Sequence, residues 1–240
     1  MRKYSVLFIV LLLGALLTAC DVQGRRILGS GNIVEHKVEA SGFDRVDASG
    51  AFQVRIRQGD AYSVVIHIDD NLVDCLDVGV TGSTLNVGIR SACWISNATR
   101  MEADITMPAL AGIELSGASH GTITGFDSSK ELYVDLSGAS SVEGDISSGN
   151  VTADVSGASH VTLRGSGGNL TADISGASHL NLEDFPVQDA SVEVSGASSV
   201  TVYPSGRLSA DASGASHVYY LGEPTLGDVN TSGGSSIERK

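Results

Sequence analysis

Six carboxylates recur at near-constant spacing in the second half of the chain: Glu114, Asp135, Asp154, Asp173, Glu193 and Asp211, with Asn230 at the next equivalent position. Each lies two residues before a Ser-Gly pair. If the segments that carry them stack in register, neighbouring acids stand about 5 Å apart, and two unit charges at that distance repel by about 3 kcal/mol at an effective dielectric near 20. Such a row must splay into solvent, hold protons or gather cations. Carboxylate oxygens suit calcium, so Asp135, Asp154, Asp173 and Glu193 form a candidate cation ladder, and no other cofactor is expected. A solvated acidic edge that keeps the coils soluble is the competing expectation.

A second column lies four residues after the first serine of each repeat: His120, Ser141, His160, His179, Ser199, His217 and Ser236. His160 and His179 fall on consecutive repeats and are a candidate transition-metal pair through their imidazole nitrogens. An exposed polar ladder is the plainer alternative. Nucleophilic catalysis is not expected, because these serines, histidines and aspartates are copies of one repeat. A catalytic triad needs one asymmetric cluster with an orienting partner, and the Gly-x-Ser-x-Gly elbow is missing. No catalytic residue is assigned.

Both columns are set by one phrase, Ser-Gly-Ala-Ser. It begins at Ser116, Ser137, Ser156, Ser175, Ser195 and Ser213, with a worn copy at Ser232, at spacings of 21, 19, 19, 20, 18 and 19. A sustained period near 19 is the signature of stacked repeats. Within one repeat, Val151, Ala153, Val155, Gly157, Ser159, Val161 and Leu163 alternate with Thr152, Asp154, Ser156, Ala158, His160 and Thr162. Period two sends the first set inward and the second outward, with Gly and Ser at the narrow middle. The fold class expected is all-β, a single-stranded parallel β-helix, right-handed, with coils of about 19 residues; a β-sandwich with accidental regularity is the alternative. At about 4.8 Å per coil, seven repeats give a segment roughly 34 Å long. The Ser-Gly pair takes one corner. Gly125–Glu131 and Glu183–Ala190, the latter with Phe185-Pro186, take the opposite corner as loops. Upstream, Phe52–Arg57, Tyr62–Ile68 and Leu85–Ile89 alternate as strands, and Asn71–Leu76 is long enough for one helical turn. Trp94, the only tryptophan, falls in the irregular Ser91–Thr99 stretch.

Residues 1–19 read as a cleaved export signal: Arg2 and Lys3 precede the apolar run Val6–Leu17, which is short for a membrane-spanning helix. Leu17-Thr18-Ala19-Cys20 resembles a bacterial lipobox. That resemblance implies cleavage before Cys20, lipidation of its thiol, and a chain anchored to the membrane on the extracytoplasmic side, in the periplasm or at the cell surface. Residues 20–28 are then a tether. Residues 29–240 form one domain, with N-terminal coils over 29–110 and Ser-Gly-Ala-Ser coils over 111–236. Without its leader the chain keeps thirteen basic residues against 28 acidic ones, a net charge of −15. Such a surface repels nucleic acid and anionic headgroups, so neither nucleic-acid binding nor peripheral lipid binding is expected. Cys75 and Cys93 remain as a candidate disulfide, 18 residues apart and so expected on neighbouring coils; two free buried thiols are the alternative.

Gly29-Ser-Gly-Asn-Ile33, Phe43-Asp-Arg-Val46, Val54-Arg-Ile-Arg-Gln-Gly59, Asp69-Asp-Asn-Leu72 and Gly82-Ser-Thr-Leu85 follow one another in order. With the later Ser-Gly repeats, they resemble the family described as putative auto-transporter adhesin, head GIN domain, over roughly residues 29–220. The resemblance implies a β-helical fold in exported, often lipid-anchored bacterial proteins. Nothing after residue 220 has the makings of a membrane barrel, so an auto-transporter route is not expected. The function expected is a non-catalytic, adhesin-like binding or structural module at the cell envelope, with an envelope glycan or protein as ligand. A carbohydrate-active β-helix enzyme that uses two of the carboxylates on an envelope polysaccharide is the alternative. A flat Ser/Ala face that templates ice or a polymer is weaker, because His and Asp flank it in every coil.

Overall fold

The computed structural model describes residues 26–240; the leader and Cys20 lie outside the described residues. Alternation makes the strands. In Val151–Val155 the three aliphatic residues are buried and Thr152 is exposed. The strands before each Ser-Gly-Ala-Ser phrase and those after it join different sheets, so each coil is a flattened loop with two long sides and two corners. On one side Gly112–Leu115, Leu132–Leu136, Val151–Val155, Leu170–Ile174, Ala190–Val194, Arg207–Ala212 and Thr225–Thr231 pair in parallel and in sequence order. On the other, His120–Asp127, Ser141–Ser147, His160–Ser166, His179–Val187, Ser199–Pro204, His217–Tyr220 and Ser236–Arg239 do the same. The resulting 10- and 11-stranded sheets enclose a single aliphatic core.

The Ser-Gly-Ala-Ser corner has a specific construction. Gly138, Gly157, Gly176, Gly196 and Gly214 all adopt φ between 74° and 79°. Gly157 is exposed rather than inward, because the left-handed residue breaks the strand alternation at the corner. The last serine of the phrase returns inward: Ser119, Ser140, Ser159, Ser178, Ser198 and Ser216 are at most 1% exposed. The hydroxyls of Ser119, Ser140 and Ser216 donate back to the carbonyl of the first serine of their own phrase at 2.8–2.9 Å, which satisfies a buried polar group locally. Ser159 Oγ is buried without a partner, and nothing in the structure explains it.

The N-terminal part departs from the expected run of coils over 29–110. Arg45–Ala48 pairs in parallel with both Thr84–Ile89 and Gly112–Leu115. Gln53–Gln58 likewise lies between Met101–Met107 and His120–Asp127. The coil formed by 45–58 is thus inserted between two coils that follow it in sequence. Ile33–Val38 and Ser63–Asp69 then add as antiparallel strands beyond Met101–Met107, and Leu76–Thr81 folds back on Thr84–Ile89 as a hairpin. These strands close the end of the rod, covering backbone edges that a simple stack would leave open.

Three smaller expectations also change. Arg26–Leu28, read as tether, is a strand paired in parallel with Trp94–Asn97. Phe185-Pro186, read as a loop, lies within the bulged strand His179–Val187, with Phe185 fully buried. Cys75 and Cys93 are joined as a disulfide with Cα atoms 5.8 Å apart, but not across neighbouring coils. They bracket the hairpin: Cys75 ends the 3-10 turn Asp70–Cys75, and Cys93 follows the turn beyond Ile89. At the opposite end of the rod, Leu226 and Val229 occupy core columns of the last coil and are left 51% and 37% exposed.

Candidate binding faces

The carboxylates do form one column. Register pairs run Glu114 to Asp135, Asp154, Asp173, Glu193, Asp211 and finally Asn230. The inserted coil adds Asp47 below Glu114, and Asn86 stands beyond Asp47. The column is therefore seven acids long and ends in an asparagine at each end. Asp47 was missed in sequence, although Asp47-Ala-Ser-Gly-Ala51 reads like Asp154-Val-Ser-Gly-Ala158. The signal was present, but Asp47 lies 67 positions before the next copy, Glu114-Leu-Ser-Gly-Ala118, far outside the period that links the later copies.

Hydroxyls flank the acids on the same face. Thr152, Thr171, Ser191 and Ser209 stand two residues before them, and Ser156, Ser175, Ser195 and Ser213 two residues after. Open depressions run along this face, one bordered by Asp135, Asp154 and Asp173 and the next by Asp173, Glu193 and Asp211. Toward the capped end the column is partly covered. Burial, and then repulsion from Asp135, raises the pKa of Asp47; burial, then Asp47 and Asp135, raises that of Glu114. The Tyr133 hydroxyl, within 3.2 Å of Asp135 Oδ2 and 3.0 Å of Asp154 Oδ2, is shared between two rungs, while Arg45 lies over the Tyr133 ring at 5.7 Å.

The raised acids have a measurable consequence. A carboxyl raised in the folded state costs stability when ionised, and that cost disappears as pH falls through its folded pKa. Stability should therefore rise on mild acidification from neutral pH. It should turn over when the lowered acids protonate. Asp104, held down to about 2 by the Arg55 guanidinium and then His67 against the opposing effect of burial, contributes stability that is present above about 3.8 and lost toward 2. Glu114→Gln should stabilise the rod at neutral pH by a few tenths to about 1 kcal/mol and flatten the rise. Thermal melts between neutral and acid pH test this, and a destabilised Glu114→Gln chain with an unchanged profile would contradict it.

The opposite sheet carries the histidine column. His120, Ser141, His160, His179, Ser199, His217 and Ser236 are register neighbours in that order. His160 and His179 are brought together with ring centroids 4.8 Å apart and planes 3° apart. Stacked rings hold their in-plane nitrogens side by side instead of converging on one point, a geometry that favours a polar ladder over a chelate. His217 Nδ1 lies 2.9 Å from Ser236 Oγ, and His120 contacts Ser141 in the same way. Among the described residues, no group of three or more His, Cys, Asp or Glu side chains converges on a metal-sized site. Near the cap this face becomes an ion network. Arg55 binds Asp104 through two nitrogens at 2.6 and 3.0 Å, and Glu102 takes both Arg55 and Arg100 at 2.8 and 2.7 Å. A cleft of about 510 Å³ opens beside it, lined in part by Gln53, Ile95, Asn97 and Met101. Its charged residues, Arg100 and Glu102, are already paired with each other.

These features define a β-solenoid whose two long faces repeat polar side chains at coil spacing. The chain belongs to the family described as "putative auto-transporter adhesin, head GIN domain", whose model matches residues 42–224. A solved structure described as a putative adhesin from Bacteroides fragilis shares 20% identity, covers 89% of this chain and 100% of its own, and superposes with a TM-score of 0.84. A putative adhesin from Parabacteroides distasonis has 15% identity, covers 90% and 100%, and gives a TM-score of 0.73. A structure from the same species described as a putative lipid binding protein has 19% identity, covers 90% and 100%, and gives 0.71. At these identities the likeness establishes the fold. No functionally curated protein matches the chain.

Proposed function

We propose that the chain is an adhesin-like binding module held at the cell envelope by lipidation of Cys20, with the acidic column as its contact face. One observation carries this reading: seven acids in continuous register, those from Asp154 to Asp211 flanked on both sides by hydroxyls and bordering open depressions. The adhesin family and the paired state of the charged cleft residues support a non-catalytic role. Each rung is a weak site, but identical rungs at coil spacing act together on a repetitive partner such as an envelope glycan. Calcium bridges the rungs to such a polymer, because the carboxylates do not converge enough to enclose an ion by themselves.

Binding of isolated envelope polysaccharide to the immobilised chain, with calcium or with a chelator, tests the contact face. Replacement of the four central acids (Asp135→Asn, Asp154→Asn, Asp173→Asn, Glu193→Gln) should leave folding intact and reduce calcium-dependent binding at least about tenfold, since multivalent binding is lost rung by rung. Unchanged binding would remove the acidic face from the mechanism. Labelling of cells with a radioactive fatty acid tests the anchor separately, with Cys20→Ser as the unlabelled control.

A further inference from the structure

The capped end of the rod exposes a tryptophan and a leucine together. Leu28 is 65% exposed and Trp94 51%, and they lie on the two strands of the small parallel sheet formed by Arg26–Leu28 and Trp94–Asn97. Arg26 is the register partner of Trp94. Ile27 and Ile95, the alternate positions, pack against the core. Arg26, Leu28 and Trp94 therefore share the outward face, with Arg90 exposed in the turn before Trp94. An indole beside an aliphatic side chain and a guanidinium is the composition of a membrane-interface contact: the indole lies at headgroup level, the leucine reaches the acyl boundary and arginine meets phosphate.

The chain itself supplies the occupant. Residues 21–25 alone separate Cys20 from Arg26, so even a fully extended chain keeps Cys20 within about 22 Å of this sheet. We propose that the Arg26–Leu28–Trp94 patch docks on the lipid bilayer surface. This rests on the reading of Cys20 as the lipidated residue. Docking there holds the capped end of the rod at the membrane beside its anchor. Asp70, whose neighbour Asn71 donates to the Leu28 carbonyl at 2.8 Å, is engaged by Ser30 Oγ at 2.5 Å and Asn32 Nδ2 at 2.8 Å. Because the chain is acidic as a whole, a surface of neutral headgroups suits it better than an anionic one.

The single tryptophan makes the test direct. The lipidated protein, purified from membranes, is reconstituted in phosphatidylethanolamine–phosphatidylcholine vesicles with or without brominated acyl chains, and acylation of Cys20 is read by mass. Trp94 emission should shift to the blue in vesicles and fall at least about twofold with brominated lipid, since bromine quenches only an indole in contact with the acyl region. Leu28→Asp, at an exposed position that leaves the fold intact, should abolish most of that quenching. A chain carrying Trp94→Phe and Tyr203→Trp moves the indole far along the rod and should not be quenched. An acylated protein with unquenched Trp94 overturns the dock and leaves the anchor standing. An unacylated Cys20 overturns both. A blue shift that follows protein concentration and ignores bromine assigns the patch to a second copy of the chain and also overturns the dock.

Discussion

Gly176→Ala is expected to lower the stability of the rod by about 3 kcal/mol or more, a large effect for one methyl group on an exposed corner. Two causes add. Gly176 has φ 79°, where an L-residue with a Cβ is strained by roughly 1–2 kcal/mol. A Cβ would also stand 2.4 Å from the carbonyl oxygen of Gly157, in the coil below. That oxygen accepts the Ala177 amide at 2.8 Å, so relieving the clash opens the ladder that joins the coils. Ala177→Ser, one position on and exposed, lacks both problems and should be close to neutral. Urea denaturation of the two variants, with hydrogen exchange to locate the damage, decides the matter. Equal midpoints would mean that the corner is far more compliant than its contacts indicate.

Asp69→Ala is expected to cost about 3–5 kcal/mol and to loosen the capped end selectively. Asp69 is fully buried, with Oδ1 accepting the Gly31 amide and Oδ2 the Thr99 amide, each at 2.7 Å. Burial opposes its ionisation, but these amides, the Thr99 hydroxyl and the Arg100 amide outweigh burial and hold its carboxyl below the usual value. The stability it supplies is therefore present above the ordinary aspartate range and lost as pH falls below it. Alanine leaves buried N–H groups without partners, and asparagine would set an amide donor against one of them. The joined segments, around Gly31 and Thr99, adjoin the Arg26–Leu28 and Trp94–Asn97 strands. Loss of Asp69 should thus free the Arg26–Leu28 and Trp94–Asn97 strands, and change Trp94 emission, before the Ser-Gly-Ala-Ser coils melt. A single cooperative transition with unchanged Trp94 emission would show that the cap does not depend on this carboxylate.

Much of the repeat half was open to reading from sequence because strand chemistry is local there. Alternation assigned Val151, Ala153 and Val155 to the core and Asp154 to the surface, and the equal period forced each acid over the last. The alternation was carried too far only at Gly157, where a left-handed corner interrupts it. The histidine pair was adjacent as its spacing required, yet spacing carries no information on ring orientation, which packing set face to face. Phe185-Pro186 was misread because proline marks a break in most strands, whereas here it follows a bulge in a strand whose buried phenylalanine fills the core.

Sequence alone determined the period, the all-β stack, the side taken by each repeat residue except the corner glycine, and the carboxylate column from Glu114 to Asp211. These follow from side-chain period two and from repeats short enough to stack only on their neighbours. The tertiary structure alone decided that coil 45–58 enters between 84–107 and 112–127, which carries Asp47 and Asn86 into the column. It also decided that antiparallel strands close one end and that Arg26–Leu28 meets Trp94–Asn97 to form the exposed patch. Alternation fixes which face of a strand is buried, but every strand has two backbone edges, and only packing of the whole chain selects the partner at each.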